Sequence, residues 1–442
     1  MEEMKEVIET LKQMTLEENQ QASGGNESTV EETKENMYIR RERVYPDIPR
    51  QVGFAFDNFM LLHENFKRDH PERPARLMSI YTHLEKTQIL KQLPKIEFES
   101  VDEKYLKMTH DQSLINTVDL SIYNSKELRR GNEVPKLAKE THYIDNDVYV
   151  NKYTKECAYL AAGASVEACK QVYSQEGQMD AAFAAIRPPG HHASCEKISG
   201  FCLFNNVVVA AKYLQSELGM KKICIFDWDI HCGDGTSQIL YQDDSVLYIS
   251  LHRYDDGMFY PGKAGSPDLI GEEKGKGFNI HFAFSAYSNK NISDMEYIYA
   301  CTDLLFPIIK EFGPEAILIS CGFDSAKGDP LGGIGVTPLG YSWMTYGLMK
   351  ICPDIVVLLE GGYNLDALAL SSEAVISTLR IDPNDQESFD KYIEKRWSSE
   401  QTFNQLSEKS LQKAAKEFRE PNAYLRKLLQ PFWKCLQPES AK

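Results

Sequence analysis

The stretch Ile223–Thr236 reads Ile-Cys-Ile-Phe-Asp-Trp-Asp-Ile-His-Cys-Gly-Asp-Gly-Thr, and it constrains the fold more than any other. Ile223 to Phe226 is wholly apolar and rich in β-branched residues, the pattern of a strand buried on both faces. Polar groups follow at once: Asp227, Asp229, His231 and Asp234. Side chains two apart on an extended chain share a face, so Asp227, Asp229 and His231 converge at the strand's carboxyl end. Open α/β sheets place their sites at that end. Carboxylate and imidazole together suit a divalent metal such as zinc. Without one, three carboxylates crowded after a buried strand would be costly.

The same transition recurs along the chain. Ala181–Ile186 is a strand followed by Arg187-Pro188-Pro189-Gly190-His191-His192. Ala316–Ser320 is a strand that leads to Gly322-Phe323-Asp324, and Ile355–Leu359 one that leads to Glu360-Gly361-Gly362-Tyr363. Further strands are expected at Val52–Phe56, Val246–Leu251 and Phe278–Phe282. Helices are expected at Leu77–Lys86, Lys155–Tyr173, Asn205–Leu218, Ser293–Phe312 with a kink at Pro307, and Pro338–Lys350. Such alternation predicts an α/β fold: a parallel sheet flanked by helices on both faces. In a parallel sheet the four polar strand ends lie along one edge.

Their residues make a coherent set. Asp229, His231 and Asp324 are three metal ligands, and a catalytic zinc keeps a fourth position open. Zinc lowers the pKa of bound water and polarises a carbonyl. His191 and His192 follow a Pro-Pro-Gly turn and are acid–base candidates. Tyr363 follows two glycines, so its hydroxyl can reach a developing oxyanion. Asp227 is placed to orient a histidine. Together they specify metal-assisted hydrolysis of a carbonyl compound.

The rest of the 442 residues bounds the setting. The net charge of −16 argues against direct nucleic-acid binding and suits a basic substrate. No apolar run approaches a membrane span, and Met-Glu-Glu-Met-Lys is no secretory signal. Ten cysteines without a Cys-x-x-Cys pair, mostly in apolar surroundings, read as reduced core residues of an intracellular protein. Residues 1–45 form an acidic segment expected to be disordered, save that Met4, Ile8, Leu11 and Met14 have the spacing of a short amphipathic helix. It reads as a solvating tail rather than a docking peptide. Polar residues 123–150 read as a surface excursion. The tail from Arg380 is mostly helical, with an apolar patch at Leu428–Leu436.

Five motifs in order, Arg187–His192, Gly200-Phe201-Cys202, Asp227–Thr236, Gly322-Phe323-Asp324 and Glu360–Tyr363, resemble the zinc-dependent histone deacetylase family and its arginase/deacetylase fold. Phe204-Asn205-Asn206 and Ser250-Leu251-His252-Arg253-Tyr254-Asp255 resemble its class II branch. The resemblance implies a catalytic domain at 46–385 and a helical extension at 386–442 that packs on it. It implies zinc on Asp229, His231 and Asp324. His192 would be the general base and acid. His191 would assist electrostatically, with Asp227 as its partner, and Asp234 would contact His192. Tyr363 would polarise the acetyl carbonyl. Gly200, Phe201 and Tyr260 would belong to the tunnel for the lysine methylenes, Asp147 would hold the substrate backbone at the rim, and Arg76 would lie beneath the site near the acetate exit. The family also binds potassium, here through Asp227, Asp229, His231, Ser250 and Leu251. The implied substrates are acetylated histone tails or other acetyl-lysine proteins, the implied partners co-repressor proteins, and the implied compartment the nucleus, the cytoplasm or both.

Three residues depart from the class II pattern. Cys232 stands where a second histidine is usual, Asp234 where Asn is usual, and Tyr260 in place of a common Phe. Weakly active class IIa members carry His at the tyrosine position, so Tyr363 favours an active enzyme over an idle acetyl-lysine-binding scaffold. Polyamine-selective members carry a Glu at the tunnel mouth after the third ligand motif. Leu331 stands there instead, which disfavours an acetylpolyamine deacetylase.

Overall fold

The computed structural model describes residues 50–120, 141–287, 292–397 and 408–437. The Met4–Met14 helix, the rest of residues 1–49 and most of the 123–150 excursion lie outside the described residues. The described strands are β1 (Val52–Ala55), β2 (His142–Tyr143), β3 (Tyr149–Val150), β4 (Ala181–Ala184), β5 (Ile223–Asp227), β6 (Val246–Arg253), β7 (Asn279–Phe284), β8 (Ala316–Cys321) and β9 (Ile355–Leu359). Seven form one sheet in the order β1-β4-β9-β8-β5-β6-β7. Every pairing in it is parallel. β2 and β3 form a separate antiparallel hairpin.

Helices flank this sheet, as the alternation predicts. All five residues of β5 and of β9 are buried, which accounts for the apolar runs Ile223–Phe226 and Ile355–Leu359. β4 is mostly alanine because the helix Thr154–Tyr173 packs closely on it. That helix is itself rich in small residues for the same reason. Its Gly163 faces a different neighbour, the segment 99–101, where a Cβ would stand 1.9 Å from the Glu99 carbonyl oxygen. Among the described residues no helix is long and apolar enough to cross a membrane. All ten cysteines are free thiols, and all but Cys195 and Cys435 are buried.

One expected helix is broken. Asp294–Ala300 and Phe306–Phe312 are α-helical, but Cys301–Leu305 between them is a π-turn. Pro307 has no N–H to give the preceding turn. The Asp303 carbonyl, four residues before it, instead accepts a hydrogen bond from Arg426 Nη2 at 2.7 Å. The C-terminal helices therefore supply part of what the proline removes. They also fill apolar gaps at the sheet edge: Phe418 packs on Phe282 and Phe284 at 5.4 and 5.5 Å between ring centroids. Trp433 packs on Phe278 and donates its indole N–H to the Gly277 carbonyl at 3.0 Å.

Candidate metal centre and active site

β4, β9, β8 and β5 are consecutive neighbours, so the four polar strand ends meet along one stretch of the sheet edge. From β5 the chain runs outward through β6 and β7, then returns to lay β8 on the other side of β5. This reversal opens a crevice beyond the strand ends, the usual place for a site in such sheets.

Asp229 and His231 follow β5, and Asp324 follows β8; a donor atom from each lies within 4.8 Å of the others. His231 Nδ1 is 3.1 Å from Asp229 Oδ1 and 3.0 Å from Asp324 Oδ2. Two glycines permit this density. A Cβ at Gly322 would stand 2.0 Å from Asp229 Oδ2, and one at Gly361 would stand 2.4 Å from Asp324 Oδ2. Burial and the neighbouring Asp229 carboxylate push Asp324 up to about 7. Burial and other carboxylates likewise push Glu360 up to about 7. Two buried carboxylates and an imidazole that crowd one point, with mutual repulsion between the acids, are the donor set a divalent cation relieves.

His191 and His192 lie beside this trio with ring centroids 4.0 Å apart. His191 Nδ1 is 3.0 Å from Asp227 Oδ2, and His192 Nδ1 is 2.8 Å from Asp234 Oδ1. Burial opposes charge on His191, but the Asp229 and Asp227 carboxylates outweigh it and hold this imidazole well above its ordinary range. Burial and the neighbouring His191 push His192 down to about 4, against the pull of Asp234. The two adjacent imidazoles are thus pushed in opposite directions, the arrangement by which acid and base are told apart.

Tyr363 sits on the β9 loop with its ring edge toward Phe201, 5.9 Å between centroids. Burial pushes its phenol well above the usual range, so it stays an O–H donor. Arg76, fully buried, lies under the tyrosine with its guanidinium 5.1 Å from the ring centroid. Its Nε donates to the Gly362 carbonyl at 2.7 Å and its Nη2 to the Glu360 carbonyl. Tyr260, 43% exposed, sets its ring edge against His192 at 4.9 Å. Gly200 has φ +55°, and a Cβ there would stand 2.3 Å from His192 Cδ2, so only glycine lets this loop press on the histidine. Asp147 is exposed in the β2–β3 turn, and its charge reaches His70, which stands edge-on to Phe201. Leu331 is 36% exposed. Ser250 pairs in register with Asp227, and Leu251 follows it on β6.

Sequence reasoning missed several supports. The buried Glu72 carboxylate accepts two hydrogen bonds from Arg187 at 2.8 Å, one from Arg76 at 3.2 Å and one from Tyr149 at 3.1 Å. It ties the base of the histidine loop to the base of the tyrosine loop. Glu360 Oε2 accepts from the Gly190 and His191 amides at 2.7 and 3.2 Å. Tyr248 donates to Asp227 Oδ2 at 3.0 Å. Asp329 accepts from Leu331 and Gly332 with one oxygen and from Tyr363 and Asn364 with the other. The motif His70-Pro71-Glu72-Arg73-Pro74-Ala75-Arg76 was a visible signal, since it places an acid and a base four residues apart.

A family model described as the histone deacetylase domain matches residues 70–379. The chain belongs to the histone deacetylase family. Arg76, Asp229, His231, Asp324 and Tyr363 all fall inside the matched span. The chain is 39% identical over 355 residues to Histone deacetylase 5 of Arabidopsis thaliana, with 79% of this chain and 52% of the relative covered. It is 36% identical over 360 residues to Histone deacetylase 7 of Homo sapiens, covering 77% and 38%. The chain therefore spans about half the length, or less, of these deacetylase relatives. Among solved structures, the crystal structure of the HDA15 HD domain superposes with a TM-score of 0.73 at 34% identity, covering 87% of this chain and 98% of that one.

Proposed function

We propose that the chain hydrolyses the acetyl amide of N6-acetyl-lysine in histones or other proteins and releases acetate. The observation that carries this reading is the pair His191 and His192, each with Nδ1 on a carboxylate, beside a two-carboxylate, one-imidazole donor set. Asp229, His231 and Asp324 would hold zinc. When bound, zinc supplies Lewis-acid polarisation of the acetyl carbonyl and makes water nucleophilic near neutral pH.

The chain's own residues do the rest. His192 Nδ1 donates to Asp234, which leaves Nε2 as a proton acceptor. His192 takes the water proton there as the acetyl carbon is attacked, and later passes a proton to the departing lysine nitrogen. His191, held as imidazolium by Asp227, adds positive charge beside the developing oxyanion. The Tyr363 hydroxyl donates to that oxyanion. Phe201 and Tyr260 flank the lysine methylenes beside Gly200, Asp147 holds the substrate backbone, and Arg76 stands at the acetate exit. Asp227, Asp229, His231, Ser250 and Leu251 would hold potassium. Residues 46–385 serve as the catalytic domain and 386–442 as its packed extension. Acetylated histone tails, co-repressor proteins and an intracellular address in nucleus or cytoplasm are part of the same reading, and the family membership supports the acetylated-protein substrate.

The test is turnover of a fluorogenic acetyl-lysine peptide with and without a zinc chelator, together with metal content of Asp324→Ala. Chelation is expected to abolish turnover and the variant to lose zinc. Full turnover in chelator, or stoichiometric zinc in the variant, would overturn the assignment.

A further inference from the structure

A second cluster of metal-binding side chains lies outside the catalytic trio. Cys232 follows β5, His252 is on β6 and His281 is on the neighbouring β7. All three are fully buried, and a ligand atom from each lies within 4.8 Å of the others. Cys232 Sγ is 3.8 Å from His281 Nδ1. A tetrahedral zinc would set sulfur and nitrogen about 3.5 Å apart, so this pair has only a few tenths of an ångström to close.

Each histidine is anchored by its other nitrogen. His281 Nε2 is 3.1 Å from Ser237 Oγ, and His252 Nδ1 is 2.8 Å from Ser250 Oγ. Metal-ligating histidines are commonly fixed in this way by a partner on the second nitrogen. Gly265 closes the cluster. A Cβ there would stand 3.1 Å from His252 Nε2 and 3.3 Å from Cys232 Cβ, and its carbonyl accepts a hydrogen bond from that same Nε2 at 2.9 Å, the proton whose place the ion would take.

We propose that Cys232, His252 and His281 form a second, structural metal site for a zinc-class divalent ion. One thiolate and two neutral imidazoles are a zinc donor set, and the Gly265 carbonyl or a water completes four-coordination. On binding, the Cys232 S–H bond breaks, sulfur keeps the electron pair as the ligand, and the proton leaves to solvent. The His252 proton now on Nε2 moves to Nδ1, where Ser250 Oγ accepts it, which frees the Nε2 lone pair for the ion. The ion would pin the loop that carries His231 to β6 and β7. This inference does not depend on the reaction assigned to the catalytic centre.

The catalytic trio offers only oxygen and nitrogen, so sulfur ligation distinguishes it from the Cys232 cluster, and loss of the band in Cys232→Ser distinguishes that cluster from the buried group His191, Cys202 and Glu360. The full chain is assayed for zinc per molecule as purified, then exchanged into cobalt(II) and followed by near-ultraviolet absorption. A sulfur-to-cobalt charge-transfer band is expected in the wild type as a second equivalent binds. Cys232→Ser is expected to lose the band and keep one equivalent, and His281→Gln to fall to one equivalent, with far-ultraviolet circular dichroism reporting their fold. The wild-type spectrum stands even where a variant does not fold. Saturation at one equivalent without the band, or two equivalents without it, would overturn the site.

Discussion

Asp234 Oδ1 lies 2.8 Å from His192 Nδ1, so a carboxylate, rather than a neutral amide, faces the ring proposed as general base. A negative charge there favours the imidazolium and opposes the burial that pushes His192 down to about 4. Asp234→Asn removes that support, so His192 should lose its proton at still lower pH. The acid limb of kcat/KM against pH is expected to move to lower pH on one acetyl-lysine peptide. An unmoved limb, or one displaced upward, would remove Asp234 from the catalytic relay.

Tyr363→Phe should retain metal and most of the tunnel packing, because its ring contacts with Phe201 and Arg76 do not use the hydroxyl. Loss of one oxyanion donor typically costs about 3–4 kcal/mol of transition-state stabilisation. A drop in kcat of roughly two to three orders of magnitude with little change in zinc content is expected. Near wild-type turnover would reduce the tyrosine to a wall of the pocket.

Glu72 is the hub of a buried network, and Glu72→Ala would remove the carboxylate that faces both Arg187 and Arg76, leaving them only carbonyl and hydroxyl partners. Breaking a buried pair in this way costs about 3–5 kcal/mol, to be read from chemical denaturation. The pH dependence follows from the sign of the shift. Burial raises the Glu72 pKa, but the Arg187 and Arg76 charges outweigh it and hold it well below the carboxylate range. Its contribution is therefore present in full above the unfolded glutamate value of about 4.3 and is lost as pH falls toward the folded one. The variant should show a flatter stability profile across that acid range. A wild-type profile in Glu72→Ala would mean that the arginines find other partners.

Leu331 offers no charge at the proposed mouth. Acetyl-lysine peptides are expected to outperform acetylspermidine, and Leu331→Glu to narrow that gap by a few-fold, since an exposed ion pair contributes about 0.2–1 kcal/mol. A wild type that prefers the polyamine would reverse the substrate assignment.

The sheet and the convergence of Asp229, His231 and Asp324 were legible in the sequence because each follows a run too apolar to be anything but buried strand. The supports were not. Glu72 and Asp329 sit in loops, where no periodicity marks a buried acid, and their partners lie up to 115 residues away. Pro307 announced a kink, but not that Arg426 would take the orphaned Asp303 carbonyl. The approach of Cys232 to His281 required knowing that β6 and β7 are neighbours, which strand spacing alone does not tell.

Asp329 joins two segments that face different demands. One carboxylate oxygen holds the Leu331 and Gly332 amides, and the other the Tyr363 and Asn364 amides. Whatever reshapes the proposed rim to admit a different molecule therefore also pulls on the seat of Tyr363. Selectivity and speed share a mechanical joint, so directed evolution at the mouth should carry turnover along with it unless Asp329 is allowed to change as well.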